Sequence, residues 1–199
     1  IAMDPLSSID TGGGLFTAIS KSNTMTLAGL NTGAANLTTN GGNVAQASAF
    51  TVTGTLTADT AGGNVVLGDT GNAIHAYAGN AGTGTVSITN GAALGLGGIT
   101  ASSLTVDTSA AASGDISQVA GDLTISGTAT FNAGANNVTA GSTGSSFNDV
   151  GATGAAVDLT AGSLVLDNVT ATTLTTHTGA AGSVSQTAGQ TIAATTVNL

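Results

Sequence analysis

The 199-residue chain contains no cysteine and no tryptophan, and it has a single proline. Glutamate and arginine are missing as well, and Lys21 is its one basic residue. Without cysteine no disulfide can hold the fold together, so stability must come from stacked strands and a buried core. Aromatic residues make up only 3% of the chain. We therefore predict a narrow core filled by valine, leucine, isoleucine and alanine.

The scarcity of positive charge limits the possible partners. Ten acidic residues, all aspartate, give a formal net charge of −9. One lysine cannot neutralise several phosphates, so the composition argues against binding to nucleic acid or to an anionic membrane surface. No run approaches the roughly 20 apolar residues of a membrane helix, so we expect no membrane insertion. Charged residues make up 6% of the chain and hydrophobic residues 41%, which is the opposite of a disordered composition.

Apolar residues recur in pairs two positions apart, with a polar or small residue between them. This alternation is typical of a β-strand with one buried face and one solvent-exposed face. Threonine and valine favour strands, whereas glycine, asparagine and aspartate favour turns. We therefore predict an all-β chain with many short strands. The pairs are Met25/Leu27, Phe50/Val52, Val65/Leu67, Val86/Ile88, Leu94/Leu96, Leu104/Val106, Leu123/Ile125, Val157/Leu159, Leu164/Leu166 and Val197/Leu199.

The spacing of the pairs predicts a solenoid. The pairs that begin at Val86, Leu104 and Leu123 follow one another at nearly equal intervals (104 − 86 = 18 and 123 − 104 = 19). Such spacing fits coils of about 18–22 residues with two or three short strands each, as in parallel β-helices. About nine or ten coils would stack into a rod about 45 Å long, at roughly 4.8 Å per coil.

A longer repeat also runs through the chain. GDISQ, from Gly114, matches GSVSQ, from Gly182 (182 − 114 = 68). GNVAQ, from Gly42, matches GDISQ in the same way (114 − 42 = 72). A degenerate period of roughly 70 residues is too long for one coil, so each of these long repeats should contain several coils. Two further matches are GDTGNAI with GSTGSSF, from Gly68 and Gly141 (141 − 68 = 73), and ITASSLTVDT with VTATTLTTHT, from Ile99 and Val169 (169 − 99 = 70).

These repeats resemble those of large bacterial exoproteins of the filamentous haemagglutinin family, and of the passenger regions of other secreted adhesins. The segments that resemble them are GDISQVAGDLTISGTATFNAGANNVT, SSFNDVGATGAAVDLTAGSLVLDNVTA and GSVSQTAG. The resemblance extends from about Asn40 to Leu199. It implies a right-handed parallel β-helix, exported by two-partner secretion or as an autotransporter-type passenger and displayed on the cell surface. The family's amino-terminal secretion domain is not recognisable here, so the resemblance implies a segment of the shaft.

The sequence offers no catalytic constellation. β-Helices that cleave polysaccharides need clustered carboxylates, or aspartate together with a basic residue. The closest group is Asp107, Asp115 and Asp122, which we interpret as solvated turn positions. His75 and His177 have no acidic neighbours in sequence, and we expect them at solvent-facing strand positions. We therefore predict no enzyme activity, and assign no catalytic, cofactor-binding or metal-binding residue.

A weak cation site and glycosylation stay open. GGNVVLGDTGNAI, from Gly62, faintly resembles the Ca²⁺-binding nonapeptide of secreted toxins but lacks its Gly-Gly-x-Gly-x-Asp spacing. Asp59 and Asp69 could still bind a cation, although Ca²⁺ requires roughly 6–8 oxygen ligands from a preformed cage. Chance explains the Asn-x-Thr triplets in a chain this rich in both residues. They lie at Asn36, Asn137 and Asn168.

Repeated Thr-x-Thr segments suggest a different function class. Flat ranks of such pairs order water in some ice-binding β-solenoids, which requires one pair per coil on one face. The gaps between the segments that begin at Thr53, Thr83, Thr128 and Thr170 are irregular (83 − 53 = 30, 128 − 83 = 45 and 170 − 128 = 42). We favour threonine as an ordinary solvent-facing strand residue, and keep ice binding as the alternative function. The segments are Thr53/Thr55/Thr57, Thr83/Thr85, Thr128/Thr130, Thr170/Thr172 and Thr176/Thr178.

The sequence thus predicts a non-enzymatic shaft segment of a secreted, cell-surface adhesin-like exoprotein that serves cell adhesion or forms a surface fibre. Residues 1–5, IAMDP, are interpreted as a cloning scar, and residues 6–199 as a single β-solenoid segment of a larger repeat protein. We expect an unknown host or cell-surface ligand to bind elsewhere in the parent protein. Unpaired strand edges at the ends of a solenoid also favour end-to-end or lateral self-association.

Overall fold

A computed structural model describes residues 2, 7–21 and 23–199. Within them every regular element is a β-strand, which confirms the all-β prediction, and no helix is long and apolar enough to span a membrane. The interpretation of residues 1–5 as a scar lies outside the described residues, except for Ala2. The strands are β1 (Ser8–Asp10), β2 (Leu15–Ser20), β3 (Met25–Leu27), β4 (Gly29–Thr32), β5 (Ala34–Thr39), β6 (Val44–Gln46), β7 (Phe50–Asp59), β8 (Val65–Leu67), β9 (Ala73–Asn80), β10 (Thr85–Thr89), β11 (Leu94–Ala101), β12 (Ser103–Asp107), β13 (Ile116–Gln118), β14 (Leu123–Asn132), β15 (Val138–Gly141), β16 (Ser146–Ala161), β17 (Leu164–Thr178), β18 (Val184–Gln186) and β19 (Ile192–Asn198).

The strands stack as a parallel β-solenoid. Each strand pairs with a segment one coil later in the sequence, so Met25 pairs with Val44, and Val44 pairs with Val65. The described pairings are all parallel, and they join the 19 strands into one continuous sheet of about nine coils. The predicted solenoid is therefore confirmed.

Each coil has three sides, which we call the first, second and third face in the order the chain visits them. The first face contains β3, β6, β8, β10 and β12. The second face includes the start of β11 followed by β13 and β15, and the third includes β2, β5 and β18. Long strands bend round corners. In β17, Leu164–Leu166 lies on the third face, 169–171 on the first and 173–175 on the second.

Inward side chains of successive coils form one core along the axis. Leu123 and Ile125 are 0% and 1% exposed, while Thr124 between them faces solvent. Nine of the ten predicted apolar pairs are buried in this way. The prediction is wrong for Val197 and Leu199, which are 47% and 85% exposed.

Coil length varies more than the regular spacing of the apolar pairs predicted. Leu104 pairs with Ala129 in a long coil (129 − 104 = 25), whereas Ala152 pairs with Val169 in a short one (169 − 152 = 17). The additional residues of the long coil lie in connections such as residues 108–115, between β12 and β13. The stacked strands therefore keep their pairing, and the coils differ in length mainly because their turns differ in length.

The corner between the third and first faces brings backbones into direct contact. A Cβ atom on Gly63 would collide with the carbonyl oxygen of Gly42, and one on Gly84 with that of Gly63, so these positions require glycine. The hydroxyls of Thr39 and Thr60 point inward and donate to the carbonyls of Gly42 and Gly63. These two threonines are buried, in contrast to the expected solvent-facing role, because their hydroxyls satisfy turn carbonyls that water cannot reach.

Candidate functional site

The aspartates of the closest sequence group lie at strand ends and are held separately. Asp107 accepts a hydrogen bond from Nδ2 of Asn132 (3.3 Å), and Asp115 accepts one from the backbone N–H of Asn137 (2.8 Å). Asp122 accepts one from a serine hydroxyl of the following coil. Among the described residues, no three histidine or acidic side chains lie close enough to hold a metal ion. Each of the three carboxylates therefore has a partner of its own, and none belongs to a described cluster of three that could hold a metal ion.

The two aspartates considered for cation binding each accept hydrogen bonds in local turns. Oδ1 of Asp59 accepts from the N–H of Ala61 (3.3 Å), and Oδ1 of Asp69 accepts from the N–H of Gly71 (2.8 Å). Asp59 also stacks against Asn80 of the next coil. A neutral amide next to a carboxylate avoids the repulsion that two stacked carboxylates would suffer.

Both histidines face solvent, as predicted. His75 is an exposed residue of β9. His177 is 58% exposed, and its Nε2 lies 3.4 Å from Oδ1 of Asp158 on the preceding coil. The sequence did not suggest this partner, because Asp158 lies a full coil upstream and approaches His177 only through coil stacking. A surface contact this exposed contributes little to stability.

The Thr-x-Thr segments do not all lie on one face, and no described pairing stacks one of them on another. Thr128 and Thr130 pair with Asp149 and Gly151 of the next coil. Thr176 belongs to another segment and is only 5% exposed. The described segments therefore do not form a continuous rank of threonine pairs along the rod.

Two shallow concavities lie side by side near the corner between the second and third faces. Their volumes are about 420 and 300 Å³, and they share His75 and Ala93. They border the register shift between Val52 and Thr55 in the pairing of β7 with β9. Their walls contain no aspartate or lysine, and few of the lining side chains could form hydrogen bonds to a ligand. The linings are Thr51, Val52, Thr53, Ala73, Ile74, His75, Ala92 and Ala93 for the larger, and Thr55, His75, Ala76, Ala93, Leu94, Gly95, Ser117 and Val119 for the smaller.

A buried polar corner is the main feature that the sequence did not predict. Asn72 is 1% exposed, and its Oδ1 accepts hydrogen bonds from the N–H of Phe50 (2.8 Å) and from Nε2 of Gln46 (2.8 Å). Ser145 takes the same place one repeat later, where its hydroxyl accepts from the N–H of Leu123 (3.0 Å). The signal was present in the match of GDTGNAI with GSTGSSF, which aligns these two residues (145 − 72 = 73).

Tyr77 places a further polar group in the core. Its ring packs in the column formed by Leu56 and Leu96, and its hydroxyl is buried without a hydrogen-bond partner. Burial raises the pKa of the Tyr77 hydroxyl above its usual range, because the charged phenolate would lose its hydration. The hydroxyl is enclosed in the core, and no cleft leads to it among the concavities described above.

Comparison with known proteins agrees with the repeat architecture. A family model described as Repeats of unknown function (DUF5649) matches residues 12–77 and 83–153. The starts of the two matches differ by nearly the same interval as the long repeats found in the sequence (83 − 12 = 71). Nothing matches among the curated proteins or the solved structures. Because the two matches cover more than half of the chain, the protein belongs to the DUF5649 family of repeats.

Proposed function

We propose that this chain is a structural shaft segment of a secreted, cell-surface adhesin-like exoprotein. The observation that supports this most strongly is the continuous parallel pairing from β1 to β19. In a solenoid every coil is held by its neighbours on each face, so a bend must disturb several rows of backbone hydrogen bonds at once. Such a rod is suited to hold something at a distance from a surface.

The chemistry of the side chains supports a mechanical role. The three aspartates of the closest group each accept a hydrogen bond from a different partner, and His177 lies beside Asp158 on the surface. These groups keep local turns and neighbouring coils in place. No described cluster pairs a nucleophile with a base, which is the arrangement that catalysis of hydrolysis requires.

Secretion and surface display are supported by the resemblance of segments such as GDISQVAGDL to repeats of the filamentous haemagglutinin family. The absence of cysteine is compatible with export, because folding then depends on coil stacking and not on oxidation. With one lysine against ten aspartates, the rod would not adhere to anionic membranes or nucleic acid. We therefore place the ligand-binding region elsewhere in the parent protein.

The proposal is tested on cells. Antibodies raised against the purified chain should label intact cells of the source organism, and external protease should abolish that labelling. Labelling that requires permeabilisation would contradict the proposal. In small-angle scattering the purified chain should behave as a rod about 45 Å long, based on a rise of roughly 4.8 Å per coil.

Ice binding, the alternative function, is tested by an ice-recrystallisation assay on the purified chain. A shaft segment should not inhibit ice recrystallisation, since its threonine pairs do not stack. Clear inhibition that is lost in Thr128→Tyr or Thr130→Tyr would overturn the shaft proposal and identify the first face as an ice-binding surface. Thr105→Tyr, at the position beside Thr130 on the preceding coil, is the matched variant for mapping that face.

A further inference from the structure

One short strand with its turn recurs once in every long repeat. Strands β6, β13 and β18 each contain three residues and end in glutamine, at Gln46, Gln118 and Gln186. The glutamine Nε2 donates to a carbonyl of the turn that follows, which belongs to Ser48, Gly121 and Gln190 respectively. The shared clamp identifies the three strands as structurally equivalent positions of successive repeats.

The backbone around these strands repeats as well. The N–H of the residue after each glutamine donates to a leucine carbonyl of the preceding coil. The three bonds are Ala47 to Leu27 (2.7 Å), Val119 to Leu96 (2.8 Å) and Thr187 to Leu166 (2.8 Å). The leucines follow one another at the interval of the long repeat (96 − 27 = 69 and 166 − 96 = 70). The long sequence period is therefore also a structural period.

The equivalent strands nevertheless lie on three different faces. From Val44 the first face continues through Val65 and Val86 to Leu104, which is three coils, and β13 then follows on the second face. From β13 the second face continues through three more coils to Leu174, and β18 then follows on the third face. Each long repeat thus contains three coils and one additional face.

We propose that each long repeat, because it contains three coils and one additional face, rotates the start of the next repeat by a third of a turn about the rod axis. The number of repeats then sets the direction in which the rod presents the region that it carries. One added or deleted repeat turns the more distal part by a third of a turn, and three restore the original direction. Equivalent surface positions spiral around the rod instead of lining up on one side. This inference deepens the proposed shaft function, on which it rests, but the geometry can be measured independently of it.

The chain allows a direct test because it has no native cysteine. Thr38→Cys and Ser183→Cys place spin labels on one outward row of the third face, about seven coils or about 34 Å apart. Thr38→Cys with Thr170→Cys labels the third and first faces. A coil of about 20 residues gives a rod radius of about 10 Å, and each spin label extends about 5 Å beyond it, so labels on neighbouring faces are about 26 Å apart across the rod and this second distance is about 40 Å.

One repeat is then removed by deleting residues 47–118, which joins Gln46 to Val119. The deletion should turn Ser183 away from the third face and bring Thr170 onto it. The 38–183 distance should therefore stay at about 30 Å, although a third of the rod is gone, whereas the 38–170 distance should fall to about 15 Å. If the repeat were a whole number of coils, the first distance would fall to about 19 Å and the second only to about 30 Å. That result would overturn the inference.

The intact chain provides a second measurement that does not depend on the folding of the deletion variant. Ala45→Cys and Ser117→Cys label the outward centres of β6 and β13. Labels on different faces should lie about 30 Å apart, and labels on one face about 16 Å apart. A distance near the smaller value would overturn the inference even if the protein is found on the cell surface. Failure of surface labelling together with the larger distance would instead contradict only the shaft proposal.

Discussion

Replacing Tyr77 with phenylalanine is expected to stabilise the protein. The hydroxyl is fully buried and has no hydrogen-bond partner, so folding removes its bond to water without replacing it. Leaving such a group unsatisfied costs about 1–3 kcal/mol, and Tyr77→Phe removes that cost while keeping the ring. We expect the free energy of unfolding to rise by about 1.5 kcal/mol, which raises the Tm of a chain of this size by about 3–6 °C.

The same variant changes the pH dependence of stability. In the unfolded chain the phenol has its ordinary pKa of about 10, whereas burial holds the folded pKa above that value. Ionisation of Tyr77 therefore does not affect the free energy of unfolding below a pH of about 10. Above that pH the phenol ionises first in the unfolded chain, and the free energy of unfolding falls by about 1.4 kcal/mol per pH unit. Tyr77→Phe abolishes this contribution. Because Lys21 is present in both proteins, the difference between their pH profiles isolates Tyr77.

Urea denaturation monitored by circular dichroism at neutral pH and at several values above the ordinary phenol pKa measures both effects. Phe131→Tyr is the matched control, because it adds a hydroxyl at another fully buried ring and should destabilise by about 2 kcal/mol. Tyr77 is the only tyrosine in the chain, so tyrosinate absorbance should develop only as the protein unfolds. An unchanged or lower stability of Tyr77→Phe, or ionisation of the folded protein at the ordinary phenol pKa, would refute the reasoning.

Three further substitutions test the core, a corner and a turn by urea denaturation. Ile125→Asp buries a charge that no arginine can meet and should cost about 4 kcal/mol, whereas Thr124→Asp should be near neutral; equal effects would contradict the inward and outward assignment. Asn72→Ala leaves the buried N–H of Phe50 without a partner and should cost about 3 kcal/mol, while Asn72→Ser should lose less because serine fills the equivalent place in the next repeat. Ala61 has a φ of +50°, so Ala61→Gly should stabilise by about 0.5 kcal/mol; a loss would mean that the turn tolerates alanine without strain.

The inward row could be predicted from sequence because burial in a strand follows directly from alternation. Leu123 and Ile125 face the core, since a period of two residues admits only two sides. Coil length was less predictable, because residues 108–115 lie outside the ladders and follow no such period. The solenoid could thus be predicted from the local alternation of apolar residues, whereas the lengths of its turns could not.

Buried polar groups depend on contacts that no local pattern contains. Asparagine favours turns, and nothing in the segment around Asn72 signals burial; the residue is buried where the distant Gln46 meets its amide across a corner. His177 likewise acquires Asp158 only through stacking. The face on which each repeat begins depends on the number of coils in one long repeat. That number follows from the strand pairing and cannot be deduced from the similarity of the repeat sequences.

The long connection between β12 and β13 shows where this architecture can acquire new parts. The hydroxyl of Thr108 donates to the carbonyl of Gly114 and closes the connection at its base, while Ala112 and Ser113 lie exposed at its tip. The strands on both sides keep their pairing, so a longer insertion there costs mainly loop-closure entropy, which grows only with the logarithm of length. Evolution or a designer can therefore graft a recognition loop onto the side of the rod at such a corner without altering the stack that supports it.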